Sequence, residues 1–173
     1  MDSLPVPVCD NIRIGRCRLY PRKKHKEAFR GYIASKRRYF YGLRVHLLIT
    51  TTGLPVEVML APGAEADITA FKCLPLDLPH GARIFADAGY LDDPEQALLA
   101  EAGGVSLVAQ RRKNCKRQLP PWLSFLAKHE RKRVETVFSQ IVSAFGRTLH
   151  AVTPKGVELK VFLTVLAYTI TAR

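Results

Sequence analysis

The chain has 173 residues, which allows one full domain with a sizeable core and little more. Its 47% hydrophobic and 24% charged content is ordinary globular usage and excludes disordered, collagen-like and low-complexity classes. Lys and Arg number 27 against 15 Asp and Glu, so the net charge of +12 favours a polyanionic partner such as nucleic acid over a merely soluble basic surface.

In chain order, the opening Met1-Asp2-Ser3 lacks the basic segment and apolar core of a secretory signal. Residues 10–38 mix charge with scattered apolar side chains and read as a basic loop or arm, densest at Arg22-Lys23-Lys24 and Lys36-Arg37-Arg38. Over residues 39–51, Tyr39, Tyr41, Leu43, Val45, Leu47 and Ile49 recur at period two, the pattern of a long strand. Thr52-Gly53 turns the chain, and residues 54–60 return as its antiparallel hairpin partner. Asp67 then opens a short helix over residues 68–74, whose first turn its side chain can cap.

Residues 82–86 form a short apolar strand that delivers Asp87 at its end. Asp92, Asp93 and Pro94 start a helix that runs to Ala102 and is stopped by Gly103, and residues 105–109 form the next strand. Strand, helix and strand in that order make a right-handed crossover, which predicts a parallel pair and therefore a mixed sheet. After the basic residues 111–117 and the break at Pro120-Pro121, Val134, Val137, Phe138, Ile141, Val142 and Phe145 mark one face of a helix that Gly146 closes. Residues 155–172 give a last helix, whose apolar run over 161–172 is too short to span a bilayer. Cys9, Cys17, Cys73 and Cys115 are scattered without a C-x-x-C pair, which fits reduced thiols in the cytosol.

Charge is distributed unevenly: residues 1–45 carry a net +9, residues 46–110 a net −7 and residues 111–173 a net +10. An acidic middle between basic flanks suits a site that holds divalent cations while its surroundings hold phosphates. At about 100° per residue, with Val134 at 0°, the apolar stripe of its helix covers roughly −60° to 80° and Glu135 falls at about 100°, bordering the buried face. Arg131, one turn earlier, lies on the same side, so Glu135 is either half of an ordinary i, i+4 ion pair or a carboxylate with a use. Asp87 follows an apolar strand and precedes Ala88-Gly89-Tyr90, where turn chemistry competes with ligand binding. Asp2, near the chain start, is a frayed end or a third member of the group. Three carboxylates stay close and ionised only with cations between them. Two Mg²⁺ ions about 3.5–4 Å apart clamp the attacking and leaving oxygens of an in-line phosphoryl transfer.

The segments Asp2-Ser3-Leu4-Pro5, Tyr41-Gly42-Leu43-Arg44-Val45-His46, Ala86-Asp87-Ala88-Gly89-Tyr90 and Arg131-Lys132-Arg133-Val134-Glu135 resemble the boxes of DDE transposases of bacterial insertion sequences, over nearly the whole chain. The closing FSQI and HAVTPKGVELKVFLTVLAY segments resemble one subgroup of that family. The resemblance implies a ribonuclease H-like α/β domain related to retroviral integrases, a mixed β-sheet flanked by helices. It implies Asp2, Asp87 and Glu135 as catalytic and metal-binding residues, Asp2 bridging two Mg²⁺ ions (Mn²⁺ as a substitute) and the other two holding one each. It implies strand cleavage by water followed by attack of the freed 3′-hydroxyl on target DNA, with transposon ends and target as partners, a homo-oligomer on DNA, and a bacterial, cytoplasmic, nucleoid-associated location without a membrane. Of the related signature Tyr-x2-Arg-x3-Glu-x6-Lys only Arg131 and Glu135 match, Lys128 and Val142 standing at the other two positions. With only Met1 before Asp2, residues 1–173 are expected to be a single catalytic domain with a truncated first strand and without an upstream DNA-binding region.

DNA contacts are expected at Arg22, Lys23, Lys24, Lys36, Arg37, Arg38, Arg111, Arg112, Lys113 and Arg131. Tyr39, Phe40 and Tyr41 are expected in the core first, with base stacking as the other reading. His46 reads as a sheet histidine satisfied by its neighbours, and Asp67, the rival of Asp87 as a metal ligand, as a helix cap. Two further functions remain open at this point, a catalytically inactive DNA-binding remnant and a stand-alone ribonuclease H-like nuclease.

Overall fold

The computed structural model describes residues 1–9, 11–25, 27–145 and 151–172, without the side chains of 11, 12, 22, 35 and 145. Arg22, Phe145 and Gly146, invoked above, therefore lie outside the described side chains or residues.

Strand β3 (Arg38–Ile49) is the backbone of the fold. It pairs antiparallel with β1 (Asp2–Cys9), Asp2 opposite Leu47 and Val6 opposite Leu43. On β3, β4 (Pro55–Pro62) pairs antiparallel opposite residues 43–49, as the hairpin reading expects. The turn is closed by Thr50, whose Oγ1 accepts the Leu54 N–H at 3.0 Å, while Gly53 supplies a φ of 93°. A further hairpin strand, β2 (Arg30–Ile33), pairs with residues 38–41. A short helix α1 (Arg22–His25) precedes it, so residues 10–38 are not the featureless arm expected. Their polar, charge-rich composition hid this strand, which follows Phe29, itself stacked on Tyr20 at 4.0 Å and in one core cluster with Tyr41.

The second sheet pairs β5 (Arg83–Ala86) with β6 (Ser106–Ala109) in parallel, through the crossover helix α3 (Asp93–Gly103). Asp92 caps α3 by accepting the Glu95 N–H, Pro94 sits in the first turn, and Gly104 rather than Gly103 takes the left-handed position at φ 62°. The Met1 amino group donates to the Phe85 carbonyl at 2.6 Å, which sets the start of β1 beside β5. The antiparallel sheet has β1, β2 and β4 all paired to β3, the parallel pair β5–β6 forms a separate two-stranded sheet, and the Met1–Phe85 bond joins the two. This is a mixed α/β architecture of ribonuclease H-like type.

Helices cover both faces. Helices α4 (Pro121–Phe145) and α5 (Pro154–Thr171) bury Val134, Val137, Phe138, Ile141, Val165 and Tyr168 against Leu47 and Leu4. On the other face α2 (Asp67–Lys72) and α3 help to enclose Met1, Leu48, Phe71, Ile84, Tyr90 and Leu107. Burial of β3 is therefore nearly continuous rather than alternating, Phe40 and Leu48 being as buried as Leu43 and Leu47. Of the three successive aromatics, Phe40 and Tyr41 are core, whereas Tyr39 is half exposed and packs on Tyr32 beneath the Arg30 guanidinium. None of the four cysteines is in a disulfide, and among the described residues no helix is long and apolar enough to cross a membrane.

Candidate functional site

Asp2 shares a face of the sheet with its partner Leu47, the face on which α4 lies. Asp87 follows β5, whose end is tied to β6 by the Gln110 N–H donating to Ala86 O at 3.0 Å. Asp2 is the first residue of β1 rather than its last, so the acids do not all stand at strand carboxyl ends. They meet where β1 begins and β5 finishes, because the Met1–Phe85 bond sets those two points side by side. Glu135 reaches the same place from α4, next to the fully buried Val134.

Arg131 joins them. Its Nη1 lies 3.2 Å from Asp87 Oδ1, and its Nε lies 3.1 Å from Glu135 Oε1 and 3.7 Å from Asp2 Oδ2. The i, i+4 ion pair expected of an ordinary helix surface is thus present, but the same guanidinium also faces one acid on β1 and one just after β5. Among the described residues, no group of three or more Asp, Glu, His or Cys side chains is arranged as it stands to hold one metal ion. Burial, foremost, pushes the Asp2 carboxyl up to about 6, and Asp87 adds to the rise; the Ser3 N–H at 2.8 Å and Arg131 act against it without cancelling it. Glu135 is the most accessible of the three, with its side chain 53% exposed against 15% for Asp2.

The opposite face of β1 and β3 carries a second polar cluster that the sequence reading did not assemble. Ser3 Oγ donates to Asp67 Oδ1 at 3.0 Å, and the Arg44 guanidinium approaches both at 3.4 and 3.5 Å while also holding the carbonyls of Gly63 and Tyr32. His46 Nδ1 is 2.8 Å from the Tyr90 hydroxyl and 4.0 Å from Asp67 Oδ1. Asp67 is therefore not a helix cap: the cap position is Ala66, with no side-chain bond, and the carboxylate turns to the sheet because Ser3 and Arg44 await it there. His46 is fully buried, and its Nε2 has no partner, so it is only half satisfied. Burial holds its pKa down at about 4. Gly89 does not provide a left-handed turn; it makes room, since a Cβ there would stand 2.5 Å from Asp67 Oδ2. Arg44 and His46, two polar residues at i and i+2 on one face of a strand otherwise apolar from Tyr39 to Ile49, were the available signal.

A family model for the transposase DDE domain matches residues 1–170. The chain belongs to that family. No curated protein and no solved structure gives a significant match. The family makes DNA the partner of this transposase domain, implies nuclease or transposition activity, and generally uses divalent metal ions.

The acids of this transposase domain fit such ions in kind: carboxylate oxygens are the hard donors that Mg²⁺ takes. Their present counter-ion is imperfectly held, because Arg131 Nε is buried without an aligned hydrogen bond. A groove of about 640 Å³ opens beside them, lined by Asp2 and Glu135, by β1, α4 and α5, and by Lys36 and Arg38. Asp87 is not part of its lining. Of the expected DNA contacts, Lys23, Lys24, Lys36, Arg37, Arg38, Arg112 and Lys113 are exposed. Arg111 is committed elsewhere, 3.1 Å from Asp93 Oδ1 and largely covered, and Arg131 serves the acids.

Proposed function

We propose that residues 1–173 form one catalytic domain of a metal-dependent DNA transposase, which cleaves DNA strands and joins insertion-sequence ends to target DNA. The observation that carries this reading is the convergence of Asp2, Asp87 and Glu135, from three separate elements, on one guanidinium in a chain of the transposase DDE family. Asp2, Asp87 and Glu135 would hold Mg²⁺, or Mn²⁺ in its place. When bound, such ions make a water or a 3′-hydroxyl nucleophilic and stabilise the leaving oxygen of an in-line phosphoryl transfer. The protein's own part is to place the strand: Lys36 and Arg38 on the groove wall face phosphates, and Arg112 and Lys113 extend the basic surface beyond β6. Deep in the site, burial raises the Asp2 carboxyl to about 6, so without metal Asp2 gives up its proton at higher pH than an ordinary carboxyl.

A homo-oligomer on DNA belongs to the same proposal. Leu159, Phe162, Leu163, Leu166 and Ile170 are exposed at helical spacing on the outer side of α5, and no charged residue lies between Val161 and Ala172. Two chains of net charge +12 can meet there without opposing like charges. Replacing Leu163 and Leu166 by Glu is expected to leave only monomer in sedimentation measurements; an unchanged distribution would remove α5 from the interface. A nucleoid-associated place in a bacterial cytoplasm follows from the same reading.

The decisive experiment is nicking of supercoiled plasmid in Mg²⁺ or Mn²⁺. Metal-dependent nicks are expected, and Glu135→Gln should reduce them by about a thousandfold, since charge stabilisation by a metal is worth several kcal/mol, while DNA affinity stays nearly unchanged. Nicking that survives the substitution would remove the catalytic assignment. DNA binding without any nicking would leave an inactive remnant.

A further inference from the structure

We propose that the Arg131 guanidinium is a built-in counter-ion of the acidic cluster, which stands in the cluster without metal and has to leave before a divalent cation binds there. The inference rests on the reading of Asp2, Asp87 and Glu135 as metal ligands, and it concerns what this chain does when no metal is bound.

Three distances to one side chain carry it. Arg131 is within 3.7 Å of a carboxylate oxygen from β1, from the end of β5 and from its own helix. A single salt bridge on a helix surface engages one acid one turn away, as Arg133 does with Glu130 on the same helix. Arg131 instead supplies a cation to acids that its own element does not contain. Without it, carboxylates gathered around one point would repel one another.

The contact is also incomplete in the way a replaceable occupant requires. One positive charge faces three carboxylates, and Nε is buried among them without an aligned hydrogen bond. Only Asp87 receives a well-formed bond, from Nη1. The side chain is 37% exposed, so a path to solvent is open. A divalent cation brings twice the charge in a smaller volume to the same oxygens, and both cannot sit among them.

The test uses the whole chain and Mn²⁺ alone, without DNA. In titration calorimetry at pH 7.5, Arg131→Gln is expected to bind Mn²⁺ at least about tenfold more tightly than the wild type, because an opposite charge at this range is worth one pKa unit or more to a carboxylate. The metal-free variant should melt at lower temperature, and Mn²⁺ should raise its melting point by more than that of the wild type. Equal or weaker Mn²⁺ binding by the variant would overturn the inference. Should Arg131→Gln not fold, Mg²⁺ titration of the wild type decides: the Arg131 Nε–H resonance should move with the same midpoint as metal binding, and an unmoved resonance at saturation would overturn the idea equally. Asp87→Asn and Glu135→Gln separate the two levels. If either keeps wild-type Mn²⁺ affinity, the ligand reading falls and the inference with it; if both lose affinity while Arg131→Gln gains none, only the role of Arg131 is wrong.

Discussion

Asp2 and His46 lie on opposite faces of the same strand pair and are displaced in opposite directions by the same cause. Burial raises the Asp2 carboxyl from 3.8 to about 6 and lowers the His46 imidazole from 6.5 to about 4. A carboxyl raised in the folded state contributes stability that is complete below about pH 4 and is lost as pH rises to 6. A histidine lowered in the folded state contributes stability that is complete above about pH 6.5 and is lost as pH falls to 4. Each shift corresponds to roughly 3 kcal/mol at most, and the windows overlap, so in the wild type the two slopes largely cancel. Asp67 and Arg44 face His46 and Arg131 faces Asp2, and none of these reverses either direction. The Met1 amino group, which burial lowers to about 6, adds its own slope only above that pH, so chemical unfolding between pH 4 and 6 should show a nearly flat profile for the wild type. Asp2→Asn should gain stability steeply as pH rises, and His46→Asn should lose it. A flat profile in both variants would mean that neither group is as desolvated as its burial requires.

At the scale of elements, Gly89 and Asp67 decide how closely α2 docks against the turn after β5. A methyl group at residue 89 would press on Asp67 Oδ2, and that carboxylate is itself held by Ser3 and Arg44. Gly89→Ala is expected to cost about 1–3 kcal/mol, the usual range for overpacking a filled site. Asp67→Ala removes the obstacle along with its bonds, so the double variant should be markedly less destabilised than the sum of the two; strict additivity in unfolding measurements would show that the close approach is not what requires glycine. This contact was not legible in the sequence, where Gly89 read as a turn residue and Asp67 as a cap, because both readings are local and the contact is not. What was legible depended on periodicity and punctuation: β3 from its period of two, the β5–α3–β6 crossover from Asp92, Pro94 and the paired glycines, and the stripe of α4 from Val134 to Ile141. The strand β2 was not read as an element, since charged neighbours disguise it, and β1 was expected only through the family resemblance, as a truncated first strand, since Pro5 and Pro7 interrupt its pattern. At the candidate site the three acids were singled out from their surroundings and given their role by the family resemblance, whereas the threefold use of Arg131 depends on where β1 starts relative to β5, which no spacing along the chain encodes.

For the molecule as a whole, the charge pattern and the groove make a quantitative claim about DNA. The segment of net charge −7 contributes Asp87, and the flanking segments of +9 and +10 contribute Lys36 and Arg38 on the groove wall and Arg112 and Lys113 beyond β6. Each phosphate neutralised by such a side chain releases counter-ions and adds about −0.9 to the slope of log affinity against log salt on duplex DNA. Binding should thus weaken steeply between low and physiological salt and depend little on sequence, since these side chains meet the backbone rather than base edges. Lys36→Gln together with Arg38→Gln should make the slope shallower by about two such contacts, because both side chains line the groove beside Asp2. Arg111→Gln should leave the slope unchanged, its guanidinium being bound to Asp93, although α3 loses that tie. The pair of outcomes distinguishes a directed surface from diffuse positive charge. If all basic residues acted only through the net charge, removing Arg111 would weaken binding as much per charge as removing Lys36 or Arg38. Equal changes of slope in the two variants would therefore detach the groove from DNA, and with it the route by which a strand is brought to Asp2 and Glu135.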